Sequence, residues 1–211
     1  MSSKDISARR AWGTLFVVSA PSGAGKTSLC LAIVAKMPDV RYSVSYTTRR
    51  PRPGEVDSRH YHFVDQATFR GMIQEDAFLE WAEVYGNFYG TPRVFIHECL
   101  KQGGDVVLDI DVQGARKIRH EEPEAVSIYI LPPSLAVLRR RLEDRKGDAP
   151  EEIARRLSQA HDELKCYHEF RHVIINDDFQ SSVRQFEAIV LAERTKTAVL
   201  ELSGMDRAVL Y

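Results

Sequence analysis

Cysteine is scarce in this 211-residue chain: Cys30, Cys99 and Cys166 are odd in number, far apart and free of any C-x-x-C pair. That excludes a disulfide framework and a structural zinc site built on cysteine pairs, and it suits a reducing, cytoplasmic compartment. Long apolar runs are missing as well. No stretch approaches the ~20 residues of a membrane span, and Leu15 to Ala20 is too short for a signal-peptide core, so neither export nor membrane insertion is expected. Neither sign of charge is in excess, with 29 Lys and Arg against 30 Asp and Glu. There is then no general electrostatic pull toward nucleic acid or an anionic membrane, and small anionic ligands need only local positive charge. His97, His120, His161, His168 and His172 lack H-E-x-x-H or Cys/His ligand spacing, and they read as ordinary surface or core residues. Internal repeats and low-complexity tracts are absent.

What is present begins at Ala20-Pro21-Ser22-Gly23-Ala24-Gly25-Lys26-Thr27, which follows the apolar run Leu15 to Val18 and precedes Leu29, Ile33 and Met37 at helical spacing. A loop of this kind turns backbone N–H groups around phosphate oxygens and adds the positive end of the next helix. It uses a lysine for the outer phosphates and a hydroxyl for Mg²⁺. Ala20 stands where the usual motif has Gly. Alanine accepts strand-like or helical dihedrals there but resists a positive φ. The competing reading is a plain Gly-rich strand-to-helix turn, and the strand before and helix after count against it.

Four short β-branched runs, Leu15 to Val18, Val106 to Ile110, Ser127 to Leu131 and Val173 to Ile175, read as buried parallel strands. Helical patterns run from Lys26 to Lys36, Leu135 to about Arg145, Glu151 to about Tyr167 and Ser182 to about Leu202. The fold class is α/β, with a doubly wound parallel sheet. Residues Met1 to Arg10 are expected to fray. From about Tyr42 to His97 the rhythm breaks into short alternating runs with Gly/Pro punctuation, which predicts an inserted small domain. Thr91-Pro92 reads as the N-cap and first residue of a helix that Gly103-Gly104 closes.

Several side chains suggest chemistry. Asp109 and Asp111 are spaced to project from one side of a strand end beside the phosphate loop, where Mg²⁺ is met, usually through water; a solvated carboxylate pair is the competing reading. Arg139, Arg140, Arg141, Arg145, Arg155 and Arg156 flank Gly147-Asp148-Ala149-Pro150 and predict an arginine-bearing lid over a transferring phosphoryl group, unless they form a solvated helix face. Ser45 to Glu55 is rich in hydroxyls and then arginines, and two guanidinium forks, Arg49 and Arg52, suit one phosphate of an acceptor. Glu80 can accept both the N1–H and N2 amino donors of guanine, although such a residue is ordinarily a solvated strand end.

In order along the chain, the phosphate loop, Val44-Ser45-Tyr46-Thr47-Thr48-Arg49, Pro51-Arg52-Pro53-Gly54-Glu55, Gly86-Asn87-Phe88-Tyr89-Gly90-Thr91 and Leu108-Asp109-Ile110-Asp111 resemble guanylate kinase of the bacterial kind, from about Thr14 to Arg194. The resemblance implies ATP + GMP ⇌ ADP + GDP with Mg²⁺. It implies a P-loop NTPase core over residues 1–44, 99–137 and 164–211, an inserted mixed α+β GMP-binding domain over 45–98 and a helical lid over 138–163. ATP contacts then fall on Ala20 to Thr27, Ser28, Arg141, Arg145 and Asn176, the last near the adenine. GMP-phosphate contacts fall on Ser45, Arg49, Arg52, Tyr61 and Tyr89, and guanine contacts on Glu80, Thr91 and Asp111. Lys26, Arg49, Arg145 and Arg156 would surround the moving group, and Thr27 and Asp109 would meet Mg²⁺. Thr91 replaces the family's common serine, Lys146 separates Arg145 from Gly147, and Tyr46 has no assigned role.

Two other functions stay open at this level: a non-catalytic guanylate-kinase-like interaction module, against which Gly25-Lys26-Thr27 counts, and a kinase for another nucleoside monophosphate, against which Glu80 and Asp111 count. A GTP-hydrolysing switch would need an Asn-Lys-x-Asp signal, and none is found. The partners expected are ATP and GMP, without nucleic acid or membrane, and nothing in the chain speaks against a homo-oligomer.

Overall fold

The computed structural model describes residues 7–84, 86–144, 150–196 and 200–203. In chain order the elements begin with β1 Ser7–Arg10, β2 Leu15–Ser19, α1 Lys26–Lys36, β3 Val40–Tyr42, β4 Tyr46–Thr47, β5 His62–Phe63, α2 Gln66–Gln74, β6 Phe78–Val84, β7 Asn87–Pro92 and α3 Arg93–Lys101. They continue with β8 Asp105–Asp109, α4 Val112–Glu121, β9 Val126–Leu131, α5 Leu135–Glu143, α6 Pro150–Leu164, a 3-10 segment Lys165–Glu169, β10 His172–Ile175, α7 Phe179–Arg194 and β11 Leu200–Ser203.

Five of the strands form a parallel sheet in the order β10-β9-β2-β8-β3. β2, with all five residues buried, lies in the middle, because only a strand covered on both faces tolerates so continuous an apolar run. On one face Leu29, Ile33, Val183 and Phe186 pack on the sheet, and on the other Ile96, Leu100, Ala115 and Ile118 do so. β3 is an edge strand that the sequence pattern did not predict. β10 is the other edge, so Val173 and Ile175 are exposed rather than buried as expected, while Ile174 is fully buried.

A second sheet, β5-β4-β7-β6, shares no strand with the first. Phe69 from α2 stacks on Phe78 and Phe88 to give it a core of its own. Tyr46 has a packing role there, against His62 and the edge of Phe78. α5 and α6 share a third, small cluster of Leu138, Leu142 and Ala160 with Ile153 and Leu157.

Other expectations are corrected. Pro92 ends β7 and is the N-cap of α3 without a side-chain bond, and Thr91 lies within the strand. Gly103 does close α3: at φ +77° its N–H reaches the Leu100 carbonyl, while the Gly104 N–H reaches Cys99, a Schellman ending. The last long helix is α7, starting three residues earlier than expected and ending at Arg194. The segment beyond it carries β11, which pairs antiparallel with β1, where a frayed tail was expected. α4 was not foreseen.

Asp105 ties the end of β1 and the end of α7 to the main sheet. It is fully buried at the start of β8 and accepts from Arg10 Nη1 (2.5 Å), the Thr14 N–H (2.8 Å) and Arg194 Nε (2.8 Å). Among the described residues no helix is long and apolar enough to cross a membrane.

Candidate active site

The phosphate loop leaves the carboxyl end of β2, the central strand, where a doubly wound sheet places its ligands. Gly23 and Gly25 take φ +89° and +93°, and Ala20 is not among the positive-φ residues, so alanine is tolerated at the first motif position for the reason anticipated. Gly25 is the N-cap of α1 and no side chain caps it. The N–H groups of the first turn are thus left for an anion. Behind the loop, Ala24 O accepts from Asn176 Nδ2 (2.7 Å) and Arg141 Nη1 (3.4 Å), and Arg141 Nη2 donates to Asn176 O (3.0 Å). A Cβ on Gly23 would press on Leu138 and Leu142 at 3.1 Å, so α5 is seated directly on the loop.

Lys26 Nζ lies 2.6 Å from Ile110 O and 2.8 Å from Asp109 Oδ1, while Thr27 Oγ1 donates to Asp109 Oδ2 at 2.5 Å. Parallel pairing of Val18 with Asp109 brings these groups together. Burial alone would lower the pKa of Lys26, but the charge and hydrogen bond of Asp109 outweigh it and the shift is upward, so the ammonium is secured. The Tyr42 hydroxyl, 3.4 Å from Asp109 Oδ2, is a neighbour that the sequence did not reveal. Burial pushes its pKa well up, with Asp109 adding to the shift, and the phenol stays protonated.

Asp111 is not a strand residue. It is the N-cap of α4, and its Oδ1 accepts from the Gly114 N–H at 2.7 Å. The expected projection of Asp109 and Asp111 from one strand face is therefore corrected: the chain turns between them, aiming Asp109 at the phosphate loop and Asp111 at the second sheet. Glu80 meets it there. A bulge between Phe78 and Glu80 sets Glu80 opposite Thr91, whose Oγ1 donates to Glu80 Oε1 at 2.8 Å. The bulge also allows Phe78 to enter the core of the second sheet and Leu79 that of the main sheet. A Cβ on Gly114 would lie 3.3 Å from Asp111 Oδ1 and 3.4 Å from Glu80 Oε2, so the start of α4 sits close against both carboxylates. Burial raises the pKa of Glu80; the Thr91 hydrogen bond opposes the rise and the charge of Asp111 adds to it.

Arg49, Tyr61 and Tyr89 form the third group. The Arg49 guanidinium sits 5.5 Å from the Tyr61 ring centroid, and the two tyrosine rings meet edge to face at 6.0 Å. Arg49 Nη2 donates to Glu55 Oε1 at 2.8 Å, and Glu55 Oε2 accepts from the Arg52 N–H at 2.7 Å. The bond to Arg49 holds the Glu55 carboxyl below the usual carboxylate range. Ser45 is half-buried with its carbonyl bonded to the His62 N–H, and the Arg52 side chain is exposed. Tyr61 is also within electrostatic reach of Lys26 and Asp109, which puts the third group beside the first. Ser28 is exposed in α1, Arg156 lies on α6, and Arg145 falls outside the described residues. Among the described residues no set of three His, Cys, Asp or Glu is arranged to hold a metal ion unaided.

Residues 13–193 match the family model described as guanylate kinase. A guanylate kinase from Vibrio vulnificus is 52% identical over 202 residues, covering 94% of this chain and 98% of that protein. One from Caldanaerobacter subterraneus subsp. tengcongensis is 47% identical over 184 residues, covering 87% and 89%. The crystal structure of guanylate kinase from Anaplasma phagocytophilum superposes with a TM-score of 0.74 at 33% identity, over 90% of this chain and 91% of that one.

Proposed function

We propose a division of roles for a chain that belongs to the guanylate kinase family and catalyses ATP + GMP ⇌ ADP + GDP. Residues 1–44, 99–137 and 164–211 act as the ATP-binding core, 45–98 as the GMP-binding insertion and 138–163 as the lid. The separate sheets and the separate α5–α6 cluster support a division into three parts, with Ile96 of α3 packing on the main sheet.

The Ala20–Thr27 loop, Ser28, Arg141, Arg145 and Asn176 take the donor, ATP. Ser45, Arg49, Arg52, Tyr61 and Tyr89 take the GMP phosphate, and Glu80, Thr91 and Asp111 read guanine. An oxygen of the GMP phosphate is already anionic and attacks the γ-phosphorus in line without a covalent intermediate, so no general base is needed. Lys26, Arg49, Arg145 and Arg156 stabilise the charge on the moving group, and lid closure excludes water. Thr27 and Asp109 bring two hard oxygen donors, hydrogen-bonded to each other here, to the phosphate loop, the donor chemistry that suits Mg²⁺ with water and phosphate oxygens. When bound, that ion neutralises charge on the outer phosphates. Both partners are small nucleotides, with no nucleic acid or membrane involved.

One observation carries the acceptor assignment: Glu80, raised in pKa by burial and hydrogen-bonded to Thr91, faces Asp111 across Gly114. Two carboxylates so held match the adjacent N1–H and N2 donors of guanine and would repel the N1 acceptor of adenine. ADP release with ATP, Mg²⁺ and GMP, dGMP, AMP, UMP or CMP tests this, and equal rates with AMP and GMP would refute it.

Glu80→Gln is expected to raise KM for GMP about 100-fold, since a buried amide N–H then faces a donor at a cost of roughly 3 kcal/mol. The same change should not lower the melting temperature, because ionised Glu80 is itself destabilised by burial. The pH dependence follows from the sign of that shift. Guanine recognition needs the anion, so GMP affinity is level at neutral pH and declines as pH falls through a value above the ordinary 4.5. GMP titration calorimetry between pH 8 and 5 checks this, and Glu80→Gln should leave only the decline due to the second ionisation of the GMP phosphate, near pH ~6.

A further inference from the structure

Asn176 is 4% exposed and follows β10, behind the phosphate loop. Its backbone is pinned by the bond from its N–H to Leu131 O (2.8 Å), and its Nδ2 donates to Ala24 O at 2.7 Å. The orientation of the amide is fixed by chemistry, since a flipped side chain would set two acceptor oxygens against each other. Oδ1 is buried and has no partner among the described residues. The bond made by the amino group is thus what fixes the orientation of this side chain.

Both backbone groups of Ala24 are held, its N–H, in the Gly23–Ala24 peptide, reaching Pro21 O at 3.1 Å and its carbonyl, in the Ala24–Gly25 peptide, reaching Asn176. A trans peptide is planar, with C=O and the following N–H pointing in opposite directions, and the described chain contains no cis bond. Fixing Ala24 O outward therefore turns the Gly25 N–H inward. Gly25 has φ +93°, and a Cβ there would lie 2.4 Å from Asn176 Nδ2, so both the backbone conformation and the close approach of the amide require glycine.

From this geometry we infer that Asn176 is a positioning residue for phosphoryl transfer: by pinning the Ala24 carbonyl it aims the Gly25 N–H at the donor phosphates. Arg141, from α5, donates to both carbonyls of the same latch, to Ala24 O at 3.4 Å and to Asn176 O at 3.0 Å, and so ties the first lid helix to the loop. The inference rests on the assignment of this loop to ATP.

Asn176→Ala and Asn176→Asp, the latter of the same size but without the donor, are expected to lower kcat/KM for ATP about 100-fold while KM for GMP stays within about twofold. In ¹⁵N-labelled protein the Gly25 amide proton should move downfield on adding ADP, and this response should be lost in either variant while the distant Gly71 amide behaves as in wild type. A folded variant that keeps more than a third of the wild-type kcat/KM for ATP, or the Gly25 response, overturns the inference. Wild-type protein gives an answer even if neither variant folds. A through-hydrogen-bond coupling between Asn176 Nδ2 and the Ala24 carbonyl carbon should be present with and without ADP, and its absence in either state overturns the inference. A wild-type protein without ATP-dependent GMP phosphorylation would instead sink the assignment of the loop to ATP.

Discussion

Turnover is expected to fall about a thousandfold when Lys26 is replaced by alanine, with the dissociation constant for GMP changed by no more than about threefold. Removing one preorganised donor to a developing charge costs ~10²–10³ in kcat, and Lys26 also steers the outer phosphates. The resting protein already secures this ammonium against Ile110 O and Asp109, so the lost group is one that needs little reorganisation when the reaction occurs. In the proposed division of roles GMP lies on the far side of the transfer and is held mainly by the insertion. Lys26→Arg should restore little, because a planar fork cannot reproduce a point charge beside Asp109. ADP release gives the rate and GMP calorimetry the affinity. Near-wild-type turnover in Lys26→Ala would remove this residue from the chemistry.

Asp105→Ala should cost about 3–5 kcal/mol of stability, because breaking a buried charge cluster leaves uncompensated ions. Here two guanidiniums, those of Arg10 and Arg194, and the Thr14 N–H lose their shared acceptor. For a chain of this size the loss corresponds to a fall of roughly 6–20 °C in Tm. Asp105→Asn keeps a carbonyl oxygen for Thr14 but still strands the two cations, and should lose nearly as much. Neither change touches the nucleotide groups, so kcat at 25 °C per folded molecule should stay within about twofold. Urea or thermal unfolding measures the loss, and a cost below about 1 kcal/mol would mean that the arginines regain water without penalty.

Much of this molecule can be read where a local signal and a buried face coincide. Lys26–Lys36 has a helix-starting loop before it and Leu29 and Ile33 on one face, and its predicted bounds match the structure. β2, β8 and β9 are apolar throughout their middles and were located within a residue or so. β3 is only three residues long with one buried, too short for any periodicity. α4 escaped because Arg116, Lys117, Arg119, His120 and Glu121 mask its apolar positions Ala115 and Ile118, and because its cap, Asp111, also suits a strand-end carboxylate. Thr91 suits an N-cap by type, yet the bulge at Phe78 and Glu80 gives its hydroxyl another partner. The β1–β11 pairing joins opposite ends of the chain, and no local pattern encodes it.

In the candidate site, the residue types were legible and their mutual contacts were not. Lys26, Thr27 and Asp109 converge as their positions in the loop and strand suggest. The bond from Asn176 to Ala24 spans 152 positions of sequence separation and depends on how β10 sits beside β9. The contacts of Tyr42 arise from a strand that could not be anticipated.

Arg49 already holds a carboxylate, that of Glu55, before any nucleotide is present. With Arg49 on the GMP phosphate as proposed, arrival of the acceptor substitutes one anion for another rather than capturing a lone cation. Such an exchange largely cancels the desolvation cost of the guanidinium and releases few counterions. Affinity for the acceptor should accordingly respond only weakly to added potassium chloride, and the basic segment should discriminate among anions by shape more than by charge.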